Sequence, residues 1–231
     1  GVNMVSGSIA DLKEVYAANQ ATNATVLTGL LNQPATITFA TGADTTLAAT
    51  DLNTLNGLTG TGVVTFSNAT QLTGVGTLDA NGGSAVKTAL DAMVANEVSY
   101  ISGVTADVPP VTLSGNVSVA DVNIIDALTG GAITATIAEG DMTTLATLTG
   151  TGNAYTVTVT DATVDGGVLH ALNGKTSVAV NAAAVTAISG TRTEIDNVYA
   201  AEEADPKTIT GLGKQSKTNT GGGSGAGGAL T

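Results

Sequence analysis

Two kinds of pattern alternate along this chain. Residues 35–39 (ATITF), 132–137 (AITATI) and 155–160 (YTVTVT) place apolar or small residues at every second position. Period-two alternation of this kind predicts half-buried strands. Between such runs the apolar residues return every three or four positions, as in Asp121, Val122, Ile125 and Leu128, and predict short helical turns opened by an acid or hydroxyl. One stretch is longer: residues 84–100 (SAVKTALDAMVANEVSY) carry Val86, Leu90, Met93 and Val94 at helical spacing behind Ser84. It predicts a true α-helix with Ser84 as its N-cap. Pro109-Pro110 follows and marks a break.

These alternations repeat. The tripeptide apolar–Ser/Thr/Asn–Gly recurs from Val5-Ser6-Gly7 through Leu58-Thr59-Gly60, Leu72-Thr73-Gly74, Leu128-Thr129-Gly130 and Leu172-Asn173-Gly174 to Ile209-Thr210-Gly211. Residues 51–63 match 141–153 at eight of thirteen positions. Residues 5–18 match 188–201 at six of fourteen, including a shared Val-Tyr-Ala-Ala. Strand plus helical turn, repeated every twenty residues or so, is solenoid grammar. The expected fold is therefore mainly β: a β-solenoid, parallel β-helix-like, of about 20-residue coils with short helical turns and one longer helix near 84–100. The expected organisation is a repeat array over 1–205 and a Gly-rich basic tail or linker over 206–231. In that tail Gly221, Gly222, Gly223 and Gly225 are the candidates for docking a neighbouring subunit.

Composition narrows the function. Only 11% of the 231 residues are charged and 3% are aromatic, while 42% are hydrophobic. A globular domain carries roughly 25% charged residues, so the core is to be filled with small aliphatic side chains, and disorder is excluded by the apolar content. All 19 acids lie at or before residue 205, whereas three of the seven bases, Lys207, Lys214 and Lys217, lie beyond it. So acidic a body repels phosphate backbones and anionic lipid, which excludes nucleic acid as a partner. No apolar run reaches the roughly 18 residues that a membrane span needs, so no membrane insertion is expected. Cysteine is absent, and beside an acidic, Thr-rich surface this predicts an extracellular or cell-surface protein. The start at Gly1 fits a processed piece.

Candidate chemistry is sparse. His170 is the single histidine, in a setting (VLHAL) that repeats the helical half-unit, and reads as a plain surface position. The G-x-G-x-x-G over 223–228 lies in the tail with no strand before it, and is a chance match. Asp51, Asp121 and Asp141 occupy one place in three repeats, and Asp11 and Glu194 share another. They predict helix capping, because carboxylates are favoured where free N–H groups cluster. Ser8–Asp11 and Thr191–Glu194 have capping-box spacing. A ladder of Ca²⁺ sites is the competing reading, since hard cations take carboxylate oxygens. Asp161 with Asp165, beside Gly166-Gly167, is the local acidic pair that would hold a metal, and Ca²⁺ is the cofactor it would take. A polysaccharide lyase or hydrolase needs clustered carboxylates or basic partners. The bases of the body, Lys13, Lys87, Lys175 and Arg192, are scattered, so an enzyme is not expected. The sequons at Asn23, Asn68 and Asn116 are those expected by chance in a Thr-rich chain.

The runs DLNTLNGLTGTG (51–62), ADVNIIDALTGG (120–131) and ATLTGTGNAYTVTVTDAT (146–163) resemble the Thr/Ala/Asp-rich repeats of large bacterial surface or adhesin proteins, especially those of marine cyanobacteria. The resemblance covers about residues 1–211 and implies a non-enzymatic fibre, coat or adhesin, with no catalytic residues to carry over. The expected partner is a second copy of the chain, as in a homo-oligomer or polymer. A fibre segment that recognises a cell-surface glycan or receptor is the alternative.

Overall fold

The computed structural model describes residues 4–20, 30, 32–39, 45–67, 69, 71–101, 109–213 and 216–219. Gly221, Gly222, Gly223 and Gly225 lie outside the described residues. The chain divides into two compact units, Gly1–Gly115 with Ile124–Ile133, and Asn116–Asn123 with Thr134–Thr231.

In the first unit a strand leads into a helix three times over, almost directly at the first two and through the connection 76–84 at the third. β1 (Val5–Gly7) leads to α1 (Ile9–Gln20), which β2 (Ala35–Ile37) follows. β3 (Thr46–Ala48) leads to α2 (Ala49–Thr59), followed by β4 (Val64–Ser67); β5 (Gln71–Val75) leads to α3 (Ala85–Val94), followed by β6 (Val98–Ile101) and β7 (Val111–Val117). Strand pairing is parallel, in the orders β1-β2-β4-β6 and β3-β5-β7. Parallel neighbours need a crossover between them, and here each crossover carries a helix or loop.

Register turns the alternation into rows. Val5, Ala35, Val64 and Val98 stand in one line across four strands, and Gly7, Ile37 and Phe66 in the next. Ala35, Ile37, Val64, Phe66 and Val98 are all buried. The row between them is hydroxylic: Ser6, Thr36, Thr65 and Ser99, none of them buried. Leu47, Leu72 and Val111 form a third apolar row. The helices pack side by side, α1 on α2 and α2 on α3, and bury Leu12, Tyr16, Leu52, Leu55, Val86 and Leu90. At about 25 cal/mol per Å² of buried apolar area, these rows stabilise the unit far more than any single polar contact.

α4 (Val119–Asp126) follows β7, and then come β8 (Ile133–Ile137), α5 (Met142–Leu145), β9 (Ala154–Thr156), β10 (Thr163–Asp165) and α6 (Gly166–Asn173). β11 (Val180–Asn181), β12 (Ala187–Gly190), α7 (Arg192–Glu203), β13 (Ile209–Thr210) and β14 (Ser216–Asn219) complete the order. In the second unit β8 pairs with β9, β11 with β13, and β12 lies between β10 and β14, all in parallel. β8 alternates buried and exposed residues strictly, as ITATI requires. α6 packs on both α5 and α7.

The mainly-β solenoid expectation is corrected by this count. The chain is mixed α/β, about 36% helix and 26% strand, with seven helices and several small parallel sheets among the described residues. Its physical source is the tripeptide, which is not one structural position. Leu58-Thr59-Gly60 and Leu172-Asn173-Gly174 end helices, whereas Leu72-Thr73-Gly74 and Ile188-Ser189-Gly190 are strand residues. Taken as one mark, the tripeptide shortens the apparent unit and its helices, whereas paired strand residues lie from 20 apart (Thr134 and Ala154) to 39 apart (Leu72 and Val111). The helix expected at 84–100 is real but shorter: α3 ends at Val94, Asn96 takes a positive φ of 60°, and Val98–Ile101 is a strand. Residues 209–210 and 216–219 of the expected tail are strands of the second unit, with Ile209 and Leu212 buried.

Successive crossovers are also tied by side-chain amides. Gln20 Nε2 donates to Leu58 O, and Asn53 Nδ2 to Ala85 O, each at 2.8 Å. Asn123 does the most: its Nδ2 donates to Thr147 O at 2.8 Å and its Oδ1 accepts from Thr149 N at 2.9 Å.

Candidate functional site

The acidic residues mark helix starts. Asp11, Asp51, Asp121 and Glu194 are each the third residue of their helix, α1, α2, α4 and α7. Asp141 sits one step outside its helix as the N-cap of α5, where its side chain accepts from Thr144 N at 2.8 Å. The sequence alignment that put Asp51, Asp121 and Asp141 at one place is therefore corrected: Asp51 and Asp121 share the third helical position with Asp11 and Glu194, and Asp141 is an N-cap.

Their bonds differ in detail. Ser8 Oγ donates to Asp11 Oδ2 at 2.7 Å and accepts from Asp11 N at 3.2 Å. Thr191 and Glu194 close a full capping box, with Thr191 N donating to Glu194 Oε2 at 2.7 Å. Asp51 takes Lys13 Nζ of the neighbouring helix at 2.6 Å. Ser118 Oγ accepts from Asp121 N at 3.0 Å. Two carboxyls are held below the usual carboxylate range. For Asp141 the cause is the Thr144 N–H, with the Thr144 hydroxyl second. For Asp79 it is the Gly83 N–H, then the Asn81 N–H, in a tight turn. Burial pushes the Tyr16 phenol up, and burial followed by the Glu202 charge does the same for Tyr199. Capping, turn bonding and burial account for each of these shifts.

The acidic pair Asp161 and Asp165 is divided between two helices. Asp161 Oδ2 accepts from Met142 N at 2.6 Å, at the start of α5, while Asp165 Oδ1 accepts from Val168 N at 3.0 Å as the N-cap of α6. Among the described residues no three His, Cys, Asp or Glu side chains gather as metal ligands would. His170 is exposed in the last turn of α6.

Within the second unit a half-open groove of about 460 Å³ runs along α6. Leu145 of α5 and Ala146, its C-cap, line it with Gly167, Val168, Ala171 and Leu172 of α6 and Glu194 of α7, with Asp165 and Lys175 before and after α6. Ligand pockets commonly fall between about 300 and 1,000 Å³. Its floor is aliphatic, one end is anionic and the other carries a lysine. Sequence reading reached Asp165 and Gly166-Gly167 but not Glu194, which joins them only when α6 packs on α7. No helix is long and apolar enough to cross a membrane, among the described residues.

Comparison against protein-family models, curated proteins and solved structures returns no match.

Proposed function

We propose that the chain is a non-enzymatic structural protein of the cell exterior, a subunit or segment of a surface coat, filament or adhesin. The observation that carries this reading is the use made of its carboxylates. Asp11, Asp141, Asp161, Asp165 and Glu194 each hold a backbone or hydroxyl donor at a helix start. Acids that satisfy N–H groups in this way stabilise repeated units and are not poised for proton transfer. The likeness of the β1–α1 and β12–α7 pairs supports a repeated building block: each is a short strand followed by a twelve-residue helix with an acid third. The resemblance to bacterial surface repeats points the same way.

Strand edges offer the route to assembly. β1 stands at one edge of its sheet and β14 at one edge of its own. An edge strand presents unpaired backbone groups, and head-to-tail contacts between unlike edges generate open filaments. Electron microscopy of the purified chain, with and without millimolar Ca²⁺, tests the reading. Filaments or sheets are expected. Dispersed single particles at every protein, salt and Ca²⁺ concentration overturn self-assembly as the role.

A further inference from the structure

Most of the helices share one frame, and α1 departs from the others in how well that frame is covered. The third residue is an acid in α1, α2, α4 and α7, and the seventh is apolar: Val15, Leu55, Ile125 and Val198. α6 keeps the seventh position with Leu172, whereas α3 starts out of this frame and carries Asp91 there. Leu55, Ile125, Leu172 and Val198 are 2% exposed or less. Val15 is only half-buried. The strand before it behaves alike: Val5 is half-buried, while Ala35, Val64 and Val98 in its row are buried. Among the described residues no strand pairs beyond β1 and no helix precedes α1. Asp11, which is exposed, lies four residues before Val15 and so shares its helix face.

α2 shows what such a face receives. Its third residue, Asp51, takes Lys13 Nζ of the helix before it at 2.6 Å, and the two helices pack together with Leu55 buried. α7 is suited to the preceding part. Residues 188–201 repeat 5–18, the block whose helix packs on α2, and no helix follows α7 among the described residues. Arg192 and Asp196 stand first and fifth in α7, as Ile9 and Lys13 do in α1, so they share the face that in α1 meets α2. The Arg192 side chain is 73% exposed and pairs through Nε with Asp196 at 3.4 Å. A guanidinium has five donors, enough for a second carboxylate.

We propose that the α1 face bearing Asp11 and Val15 docks the α7 face bearing Arg192 of a second copy. Arg192 takes Asp11 as Lys13 takes Asp51, and Val15 is covered as Leu55 is. The contact rests on the self-assembly reading above and specifies the two faces that meet. Because those faces are unlike, it propagates from copy to copy.

Light scattering and sedimentation of the full chain at low salt test this, with the parent beside Arg192→Glu and Asp11→Lys. Each single variant sets like charges across the contact and is expected to associate about tenfold more weakly than the parent. An equimolar mixture of the two is expected to associate as the parent does. In the mixture the introduced glutamate meets the introduced lysine, and native Arg192 meets native Asp11. Recovery on mixing also shows that both variants are folded. If the parent associates and either variant associates equally well, this contact is overturned and self-assembly stands. Weakened variants whose mixture stays dispersed overturn it too. A parent that stays monomeric at every concentration overturns self-assembly and this contact together.

Discussion

Thr191 shows how a single residue sets the end of an element in this protein. Its hydroxyl accepts from Glu194 N while Glu194 Oε2 accepts from Thr191 N, so two donors that the first turn of α7 cannot pair internally are satisfied reciprocally. Thr191→Ala removes half of this exchange and is expected to lower stability by about 1 kcal/mol in urea unfolding, with α7 fraying first. Asp141 carries a second residue-scale prediction. Because its folded carboxyl titrates lower than in the unfolded chain, the ionised cap stabilises the fold above the ordinary carboxylate range. That contribution is lost as pH falls from the unfolded pKa, about 4, through the lower folded one. Asp141→Asn keeps a good cap but cannot titrate, so its unfolding midpoint is expected to fall less steeply between neutral pH and pH 3 than that of the parent. Parallel acid limbs for the two proteins would show that the cap does not depend on the charge.

At the scale of elements, glycine and asparagine govern how one crossover meets the next. In Thr59-Gly60-Thr61-Gly62, Gly60 takes a φ of 69° to end α2, and a Cβ on Gly62 would run into the Gln33 carbonyl. The neighbour there is backbone and cannot swing away, so Gly62→Ala is expected to cost more than the 1–3 kcal/mol typical of overpacking a core, read as a loss of melting temperature. Asn123 bridges in the opposite sense, reaching both Thr147 and Thr149. Asn123→Ala leaves two backbone groups to find water, and about 1–2 kcal/mol of stability is expected to go with faster amide exchange at Thr149. Much at this scale was legible beforehand. The alternation of ITATI sets the buried face of β8, Ser84 caps α3 by accepting from Lys87 N, and the shared Val-Tyr-Ala-Ala places Tyr16 and Tyr199 alike as eighth residues of twelve-residue helices. Helix length was not legible. α2 is built from ATDLNTLNGLT, whose Thr, Asn and Gly are poor helix formers, and packing against α1 and α3 overrides that weak propensity.

For the whole molecule, the difference between turns and helices of up to twelve residues moves the chain from a mainly-β class into a mixed α/β one. The groove along α6 was out of reach for a related reason: Glu194 of α7 and Leu145 of α5 reach it only through helix packing. The proposed assembly, by contrast, would use the open edge of β1. Val5 N donates to Pro34 O, and Gly7 O accepts from Thr38 N, so alternation turns the N–H and C=O of the intervening Ser6 towards the open side of β1. On that side no strand pairs among the described residues. Ser6→Pro deletes an outward donor while leaving both inward bonds in place, and proline is tolerated on sheet edges for this reason. The folded chain is therefore expected to lose less than about 1 kcal/mol, as surface substitutions do. Filaments seen by electron microscopy for the parent chain are expected to be absent or much shorter for the variant at equal concentration. A variant that polymerises as the parent does would remove β1 from the contact and leave β14 of one copy meeting some other surface of the next.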